Sequence, residues 1–171
     1  MAKHTLSVLV ENRAGVLSRV AGLFSRRGFN IESLAVGVTE NKDVSRITII
    51  VEGDDYTVEQ VTKQLNKLID VIKIKQLEKS DSLSRELTLI KVAANQTTRS
   101  EIIQIVEIFR AKIVDVSKNT LTIELSGPSE KVFALEEMIR SFGIKEIVRT
   151  GTIAIERGNK HIKTKNIEEE C

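Results

Sequence analysis

The sequence has few of the residues that catalytic and metal-binding sites most often use. Its 171 residues include one cysteine, Cys171 at the last position, and two histidines, His4 and His161. A single cysteine excludes an internal disulfide and a cysteine-rich metal site. The sequence contains no Ser/His/Asp or Cys/His set and no phosphate-binding GxxxxGKS/T loop. We therefore predict a non-catalytic protein, with no catalytic residue, no metal site and no cofactor.

Long apolar runs and an excess of one charge are also missing. Lys and Arg number 26 against 24 Asp and Glu, which gives a net charge of +2, and the two signs are interspersed. This balance does not favour a nucleic-acid partner or a membrane surface. No run approaches the roughly 18 apolar residues of a membrane span, and the start MAKHTLSV lacks the apolar stretch of a signal peptide. We expect a cytoplasmic protein that binds neither nucleic acid nor membrane.

The apolar periodicity of the first half predicts alternating strands and helices. From Thr5 the apolar residues recur every second position, and from Val16 they follow helical spacing up to Gly28, which suits a C-terminal cap. Two β-branched runs, NIESLAVGV and VSRITIIVEG, predict a hairpin. A second helix, with Asp54 and Asp55 as cap candidates, precedes the strand VIKIKQL. The order β-α-β-β-α-β predicts four antiparallel strands with two helices on one face, a ferredoxin-like sandwich.

The second half repeats this order. Its segments are ELTLIKVAA, RSEIIQIVEIFRA, KIVDVS, NTLTIELSG, PSEKVFALEEMIRSF and IKEIVRTGTIAI. Pro128 suits the first turn of the last helix, where a missing N–H has no cost. We predict an α+β protein of two ferredoxin-like sandwiches in tandem. The predicted domains are residues 1–79 and 86–157, joined by a polar linker at 80–85 and followed by a charged, loosely ordered tail at 158–171.

The turn before the first helix, ENRAG, carries little side-chain bulk. A free helix N-terminus offers unpaired N–H groups and the positive end of the helix dipole to a carboxylate. Gly15 permits turn angles that other residues resist, and the amide of Asn12 offers both a donor and an acceptor. If two copies associated edge to edge, Asn30 of one copy could face this turn of the other. A Gly before a helix and an Asn after one are also ordinary punctuation, so the pattern alone leaves a ligand site and a plain turn both open.

The residues from Leu6 to Val36 read LSVLVENRAGVLSRVAGLFSRRGFNIESLAV. This stretch resembles the ACT domain of the small, regulatory subunits of acetolactate synthase, and the resemblance continues through SRITIIVEGDD, QLNKLIDVIKI and EIFRAKIVDVS. It implies a subunit without chemistry of its own. Such a subunit activates a separate thiamine-diphosphate-dependent catalytic subunit, so that the holoenzyme is a transferase, and makes it sensitive to feedback inhibition by valine. The enzyme forms the first common intermediate of branched-chain amino-acid synthesis.

The resemblance also implies an effector site and a homodimer. ACT domains of this kind pair side by side into a continuous eight-stranded sheet with two effector sites at the interface. One chain would supply the effector loop and its partner Asn30 and Ile31. The loop residues carried over by position are Asn12, Ala14, Gly15, Val16 and Leu17, with Ala14 standing where many ACT domains have proline.

The second half departs from this pattern. Its equivalent turn, VAANQTTRSEII, has no glycine before the helix, and FRAKIVDV has no asparagine in the position of Asn30. We therefore expect no valine site there. The resemblance implies that the second domain helps to bind and activate the catalytic subunit.

Two other functions compete with this interpretation. RNA-recognition domains share the ferredoxin-like topology, but they stack bases on strand aromatics. Aromatic residues make up 4% of this chain, and the predicted strands offer aliphatic residues such as Ile47, Ile49 and Val51 instead. The alternative that the sequence leaves open is an ACT-domain amino-acid sensor that regulates a different metabolic enzyme. The preferred effector among the branched-chain amino acids is also left open.

Overall fold

The computed structural model describes residues 2–162, which form two compact units. Unit 1 contains residues 2–83 and 152–162, and unit 2 contains residues 84–151. The chain therefore leaves unit 1 after Leu83 and returns to it at Thr152. None of the helices between residues 2 and 162 combines the length and the apolar character that a membrane crossing requires.

Unit 1 contains the first β-α-β-β-α-β motif. Its elements are β1 (Ala2–Glu11), α1 (Val16–Arg27), β2 (Ile31–Val38), β3 (Val44–Gly53), α2 (Asp55–Leu65) and β4 (Val71–Leu77). The four strands form an antiparallel sheet in the order β2-β3-β1-β4, so that β2 and β4 are its edges.

The alternation of side chains along β1 determines where the helices lie. Leu6, Val8 and Val10 are buried and point to one face of the sheet. Because this face shares one core with both helices, α1 and α2 lie on the same side. The other buried residues of this core are Val16, Val20, Leu23, Phe24, Ile47, Ile49, Val51, Val58, Val61 and Leu65.

Unit 2 repeats the motif. Its elements are β5 (Ser82–Ala93), whose first two residues belong to unit 1, α3 (Arg99–Ile108), β6 (Lys112–Val116), β7 (Thr120–Gly127), α4 (Ser129–Gly143) and β8 (Ile144–Arg149). The strand order is β6-β7-β5-β8. The predicted fold class, α+β with two ferredoxin-like sandwiches in tandem, is confirmed.

The boundaries of the two units differ from the predicted ones. The predicted linker, residues 80–85, contains the end of a 3-10 helix (Lys79–Asp81) and the start of β5. The predicted last strand, IKEIVRTGTIAI, is divided into β8 and a separate strand β9 (Ile153–Glu156), which also pairs with β5. Gly151 lies at the break with a φ of 84°. Residues 152–157, predicted to lie in the second domain, belong to unit 1.

The C-terminal segment, residues 152–162, crosses the open face of the sheet in unit 1. The N–H of Thr152 donates to Ser33 Oγ on β2 over 2.8 Å, and Glu156 pairs with Lys75 Nζ on β4 over 2.6 Å. Ser33 and Lys75 lie on the face opposite to the helices, because their neighbours Leu34 and Ile74 pack in the helix-side core. The segment therefore reaches from one sheet edge to the other.

The same segment continues into the predicted tail. Ile162 is buried against Leu9 and Val44. This part of the tail is therefore packed on unit 1, in contrast to the loose order expected from its charge. Residues 163–171 lie outside the described residues.

The packing of β9 predicts the effect of enlarging Ala154. This buried residue lies between Thr152 and Glu156 on the sheet-facing side of β9, whereas Ile155 is exposed. Since a larger side chain must displace well-packed neighbours, Ala154→Leu should lower the free energy of unfolding by about 1–3 kcal/mol. Ile155→Leu, the control on the opposite side, should change it by less than about 0.5 kcal/mol. Urea unfolding of the full chain measures both, and equal effects would contradict the packing of β9.

The cap of α2 predicts a pH dependence. The Asp54 carboxylate accepts hydrogen bonds from Thr57 Oγ1 over 2.6 Å and from the Thr57 N–H over 2.8 Å. The bond from Thr57 Oγ1, followed by that from the Thr57 N–H, lowers the pKa of Asp54. A lowered folded-state pKa adds stability that is present above the unfolded value of about 3.9 and is lost as pH falls through the folded value.

We therefore expect the free energy of unfolding to fall less steeply below about pH 4 in Asp54→Asn than in the wild type. Asparagine keeps a capping oxygen but does not titrate there. Asp54→Ala should show the same shallow slope at lower stability, because it loses the cap at every pH. Urea unfolding measured across this pH range tests whether the Asp54 carboxylate causes the pH dependence. Parallel curves of unfolding free energy against pH for the wild type and Asp54→Asn would refute it.

Candidate functional site

The turn between β1 and α1 is open at the start of the helix. Gly15 is the N-cap of α1 with a φ of 84°, in the left-handed region that favours glycine, and no side chain caps this end. Ala14 and Gly15 are exposed. The Val16 N–H donates to Arg13 O over 3.4 Å. The positive end of the α1 dipole faces a turn whose own side chains give little steric cover, which suits a carboxylate.

Asn12 attaches this turn to the β2–β3 hairpin. Its backbone N–H donates to Asp43 O over 2.8 Å, and its Nδ2 donates to Lys42 O over 2.8 Å. Its Oδ1 accepts from Ser45 Oγ over 3.1 Å. Both ends of the amide that the sequence suggested for a ligand thus already hold the hairpin. In this structure Asn12 positions the turn.

Replacing Asn12 tests this attachment. Ser45 is buried, and in Asn12→Ala its hydroxyl loses its acceptor. We expect the free energy of unfolding to fall by about 1–3 kcal/mol, because an unsatisfied buried group keeps its desolvation penalty. Adding Ser45→Ala should recover part of that loss. Denaturant unfolding of the two single variants and the double variant measures the coupling, and strictly additive effects would contradict the proposed bond.

An ion pair that sequence reasoning missed lies beside the open turn. Arg19 Nε donates to Asp70 Oδ2 over 2.6 Å, and this bond is the main cause that raises the pKa of Arg19. A Cβ on Gly15 would lie 3.1 Å from Arg19 Nη1, so the guanidinium lies directly against the turn. The spacing of four residues between Gly15 and Arg19 is a signal that was available in the sequence, because such residues are neighbours on a helix.

The other predicted residues of the loop and strand differ in exposure. Val16 is buried in the core of unit 1, whereas Leu17 is exposed. Val16 therefore holds the helix in place, and Leu17 is available for contact. Asn30 is exposed and directly precedes β2, where Ile31 is half-buried.

Within one chain, Asn30 and Asn12 lie at opposite ends of the sheet. Ile31 pairs with Val51, and Val51 pairs with His4 at the start of β1. Asn12 follows the other end of β1, which at about 3.4 Å per residue places it about 27 Å from the row of His4. A single chain therefore does not bring the two asparagines together.

The edge strand β2 carries exposed apolar side chains that the sequence analysis did not select. Val36 and Val38 are 47% and 59% exposed. They belong to the helix side of the sheet, because their partners on β3 are Ile47 and Ser45, and Ile47 lies in that core. Exposed valines on an unpaired edge strand are the signal that could have found them.

Unit 2 closes the equivalent turn. Asn95 Oδ1 accepts from the N–H groups of Thr97 and Thr98, both over 2.9 Å. Arg99, at the start of α3, donates through Nη2 to the carbonyls of Ser117 and Lys118 over 2.7 and 2.9 Å. Side chains therefore bond to the backbone around this turn, although α3, like α1, has no side-chain cap at its N-cap residue, Thr98.

Comparisons with known proteins agree with this arrangement of two units. Residues 6–73 match the model of the small-subunit-like ACT domain of acetohydroxyacid synthase, and residues 85–158 match the model of the small subunit of acetolactate synthase. A probable acetolactate synthase small subunit from Archaeoglobus fulgidus is 59% identical over 158 residues, which cover 92% of this chain and 99% of that protein. The chain belongs to the acetolactate synthase small subunits. The predicted resemblance is thereby confirmed.

Other members of the acetolactate synthase small subunits support the assignment. The small subunit from Mycolicibacterium smegmatis is 58% identical over 159 residues, covering 93% of this chain and 94% of that protein. The small subunit from Thermotoga maritima, known from a crystal structure, is 43% identical in sequence. Its structure matches this one with a TM-score of 0.86 over 94% of this chain and 100% of that chain. A small, regulatory subunit with an ACT domain implies a large catalytic subunit as its partner.

Proposed function

We propose that this small subunit binds valine, or another branched-chain amino acid, between two copies of unit 1. Through this binding it confers feedback inhibition on the thiamine-diphosphate-dependent catalytic subunit, which it also activates. The observation that carries the proposal is the contrast between the two turns. Exposed Ala14 and Gly15 lead into α1, whereas before α3 Asn95 Oδ1 accepts from the N–H groups of Thr97 and Thr98.

The open turn has the chemistry that a zwitterionic, apolar amino acid needs. Its carboxylate would accept hydrogen bonds from the N–H groups at the start of α1. Its ammonium would donate to carbonyl and asparagine oxygens. Its side chain would pack among the exposed apolar residues of α1 and the β2 edge, Leu17, Val36 and Val38.

A two-fold dimer through β2 would complete this site. In the described chain β2 pairs with β3 alone, so its other edge is free to pair, and two copies related by a two-fold axis would place their β2 strands antiparallel. Antiparallel pairing brings the start of one strand beside the end of the other. Asn30 and Ile31 of the partner subunit would then approach the sheet end that carries Asn12 and Gly15. Within a single chain, Asn30 and Asn12 lie at opposite ends of the sheet and cannot meet.

A site shared by two chains senses how those chains are placed. A ligand that prefers one placement shifts the population towards it, with a coupling of typically about 1–3 kcal/mol that acts equally in both directions. The bound catalytic subunit must therefore change the affinity for valine by the same factor. The closed turn of unit 2 leaves that unit for the other task that we propose, to bind and activate the catalytic subunit.

Gly15→Asp should abolish valine binding. The new side chain would strain a backbone at φ 84° and place its Cβ 3.1 Å from Arg19 Nη1, and its carboxylate would oppose that of the ligand. Gly22→Asp is the matched control, because a Cβ there meets no atom within 4 Å. Calorimetric titration with valine measures both variants.

Isoleucine and leucine should bind more weakly than valine rather than be excluded, because one methylene is worth only about 0.8 kcal/mol.

Mixing two variants tests whether the site is shared. Gly15→Asp and Asn30→Ala should each bind valine poorly as homodimers. A heterodimer of the two contains one intact turn facing one intact Asn30, so it should bind one valine per dimer with wild-type affinity. If the site lay within one chain, both copies would be defective, and the heterodimer would bind none.

A further inference from the structure

Arg19 and Asp70 form a charged pair at the edge of the open turn that the proposed function leaves unassigned. Arg19 lies on α1, one helical turn beyond Gly15, and Asp70 directly precedes β4. We propose that Arg19 binds the carboxylate of the effector and that Asp70 positions Arg19 for this contact. The inference rests on the proposed function, because it adds a residue to the same site.

The contact with Gly15 gives Arg19 its place in the site. Nη1 lies 3.1 Å and Cζ 3.9 Å from the position that a Cβ on Gly15 would take. The guanidinium therefore packs on the uncovered backbone of the turn. A carboxylate bound to the first N–H groups of α1 lies within reach of Nη1, and charge-assisted hydrogen bonds of this kind are about twice as strong as neutral ones.

The contact with Asp70 fixes the direction of the guanidinium. The Asp70 side chain is 10% exposed and that of Arg19 is 49% exposed. The buried carboxylate therefore holds one side of the Arg19 guanidinium and leaves the other side near solvent. The bond uses Nε, whereas Nη1 is the atom that faces Gly15. Because the guanidinium is planar and its five donors have fixed directions, holding Nε also sets the direction of Nη1.

Asp70 is itself anchored to the strand that leads into the turn. Its carbonyl accepts the N–H of Glu11, the last residue of β1, over 2.9 Å. The carboxylate therefore has a defined position relative to Gly15. This anchoring also suits a structural ion pair that only ties α1 to the sheet, so the test must separate recognition of the ligand's charge from stability.

Two ligands that differ in charge make that separation. L-Valinamide has nearly the shape of L-valine but carries a neutral amide in place of the carboxylate. We expect Arg19→Gln to weaken valine binding by about tenfold to a hundredfold, the range for a hydrogen bond to a charged group, and to change valinamide binding much less. The preference for valine over valinamide should then fall by a similar factor. Calorimetric titration of the full-length dimer measures the four dissociation constants.

Arg26→Ala is the control for charge, since Arg26 lies in the last turn of the same helix. It should leave the preference for valine over valinamide unchanged. Arg19→Lys keeps the positive charge and the aliphatic stem, so it should retain an intermediate preference for valine over valinamide. It replaces Arg19→Gln in the test if sedimentation shows that Arg19→Gln does not dimerise. An unchanged preference in both Arg19 variants, with equal losses for the two ligands, would overturn the role in recognition and leave a structural pair.

The double variant tests the positioning by Asp70. Asp70→Asn should weaken valine binding in the wild-type background. It should cause little further loss in Arg19→Gln, because Asp70 acts through Arg19. Additive losses would overturn this part of the inference. A wild-type dimer that binds no amino acid would overturn the proposed function as well. If the wild type binds valine but the Arg19 variants keep its preference for valine over valinamide, only the role of Arg19 is overturned.

Discussion

The positive φ of Gly15 is the constraint on which the candidate site depends. A residue with a side chain adopts this conformation at a cost, and at this position its Cβ would also press on Arg19. With glycine, β1 can end and α1 can begin without a capping side chain, so no side chain caps the positive end of the helix dipole. Asn12 holds one side of the turn on the hairpin, and the Arg19–Asp70 pair holds the other.

The two units share one fold but differ in the turn before their first helix. Both place a helix directly after their central strand, and both cores are built from the same alternation of apolar residues. In unit 2, Asn95 Oδ1 instead accepts from the N–H of Thr98, and Arg99 donates to the carbonyl of Ser117. The two sandwiches thus differ in a few residues before the helix rather than in the strand order.

The strands and helices could be predicted from the sequence because their signals are local. A period of two along β1, helical spacing along α1, Gly28 and Asp54 each act within a few residues. The break before β9 could not be predicted, since the apolar alternation continues on both sides of Gly151. The partners of the site are also non-local. Asp70 is 51 residues from Arg19, and Ser45 is 33 from Asn12, so their contacts exist only once the sheet has formed.

The sheet of unit 1 is covered on both faces, by the helices on one and by the C-terminal segment on the other. Its helix side carries the open turn, and its other face is crossed by the C-terminal segment, which bonds to Ser33 on β2 and to Lys75 on β4. The β4 edge carries Lys73 and Lys75, of which Lys75 pairs with Glu156 of the C-terminal segment. The β2 edge instead offers Val36 and Val38. The same edge strand contacts the C-terminal segment. Ser33 thus links β2 to Thr152, the residue at which the chain returns to unit 1.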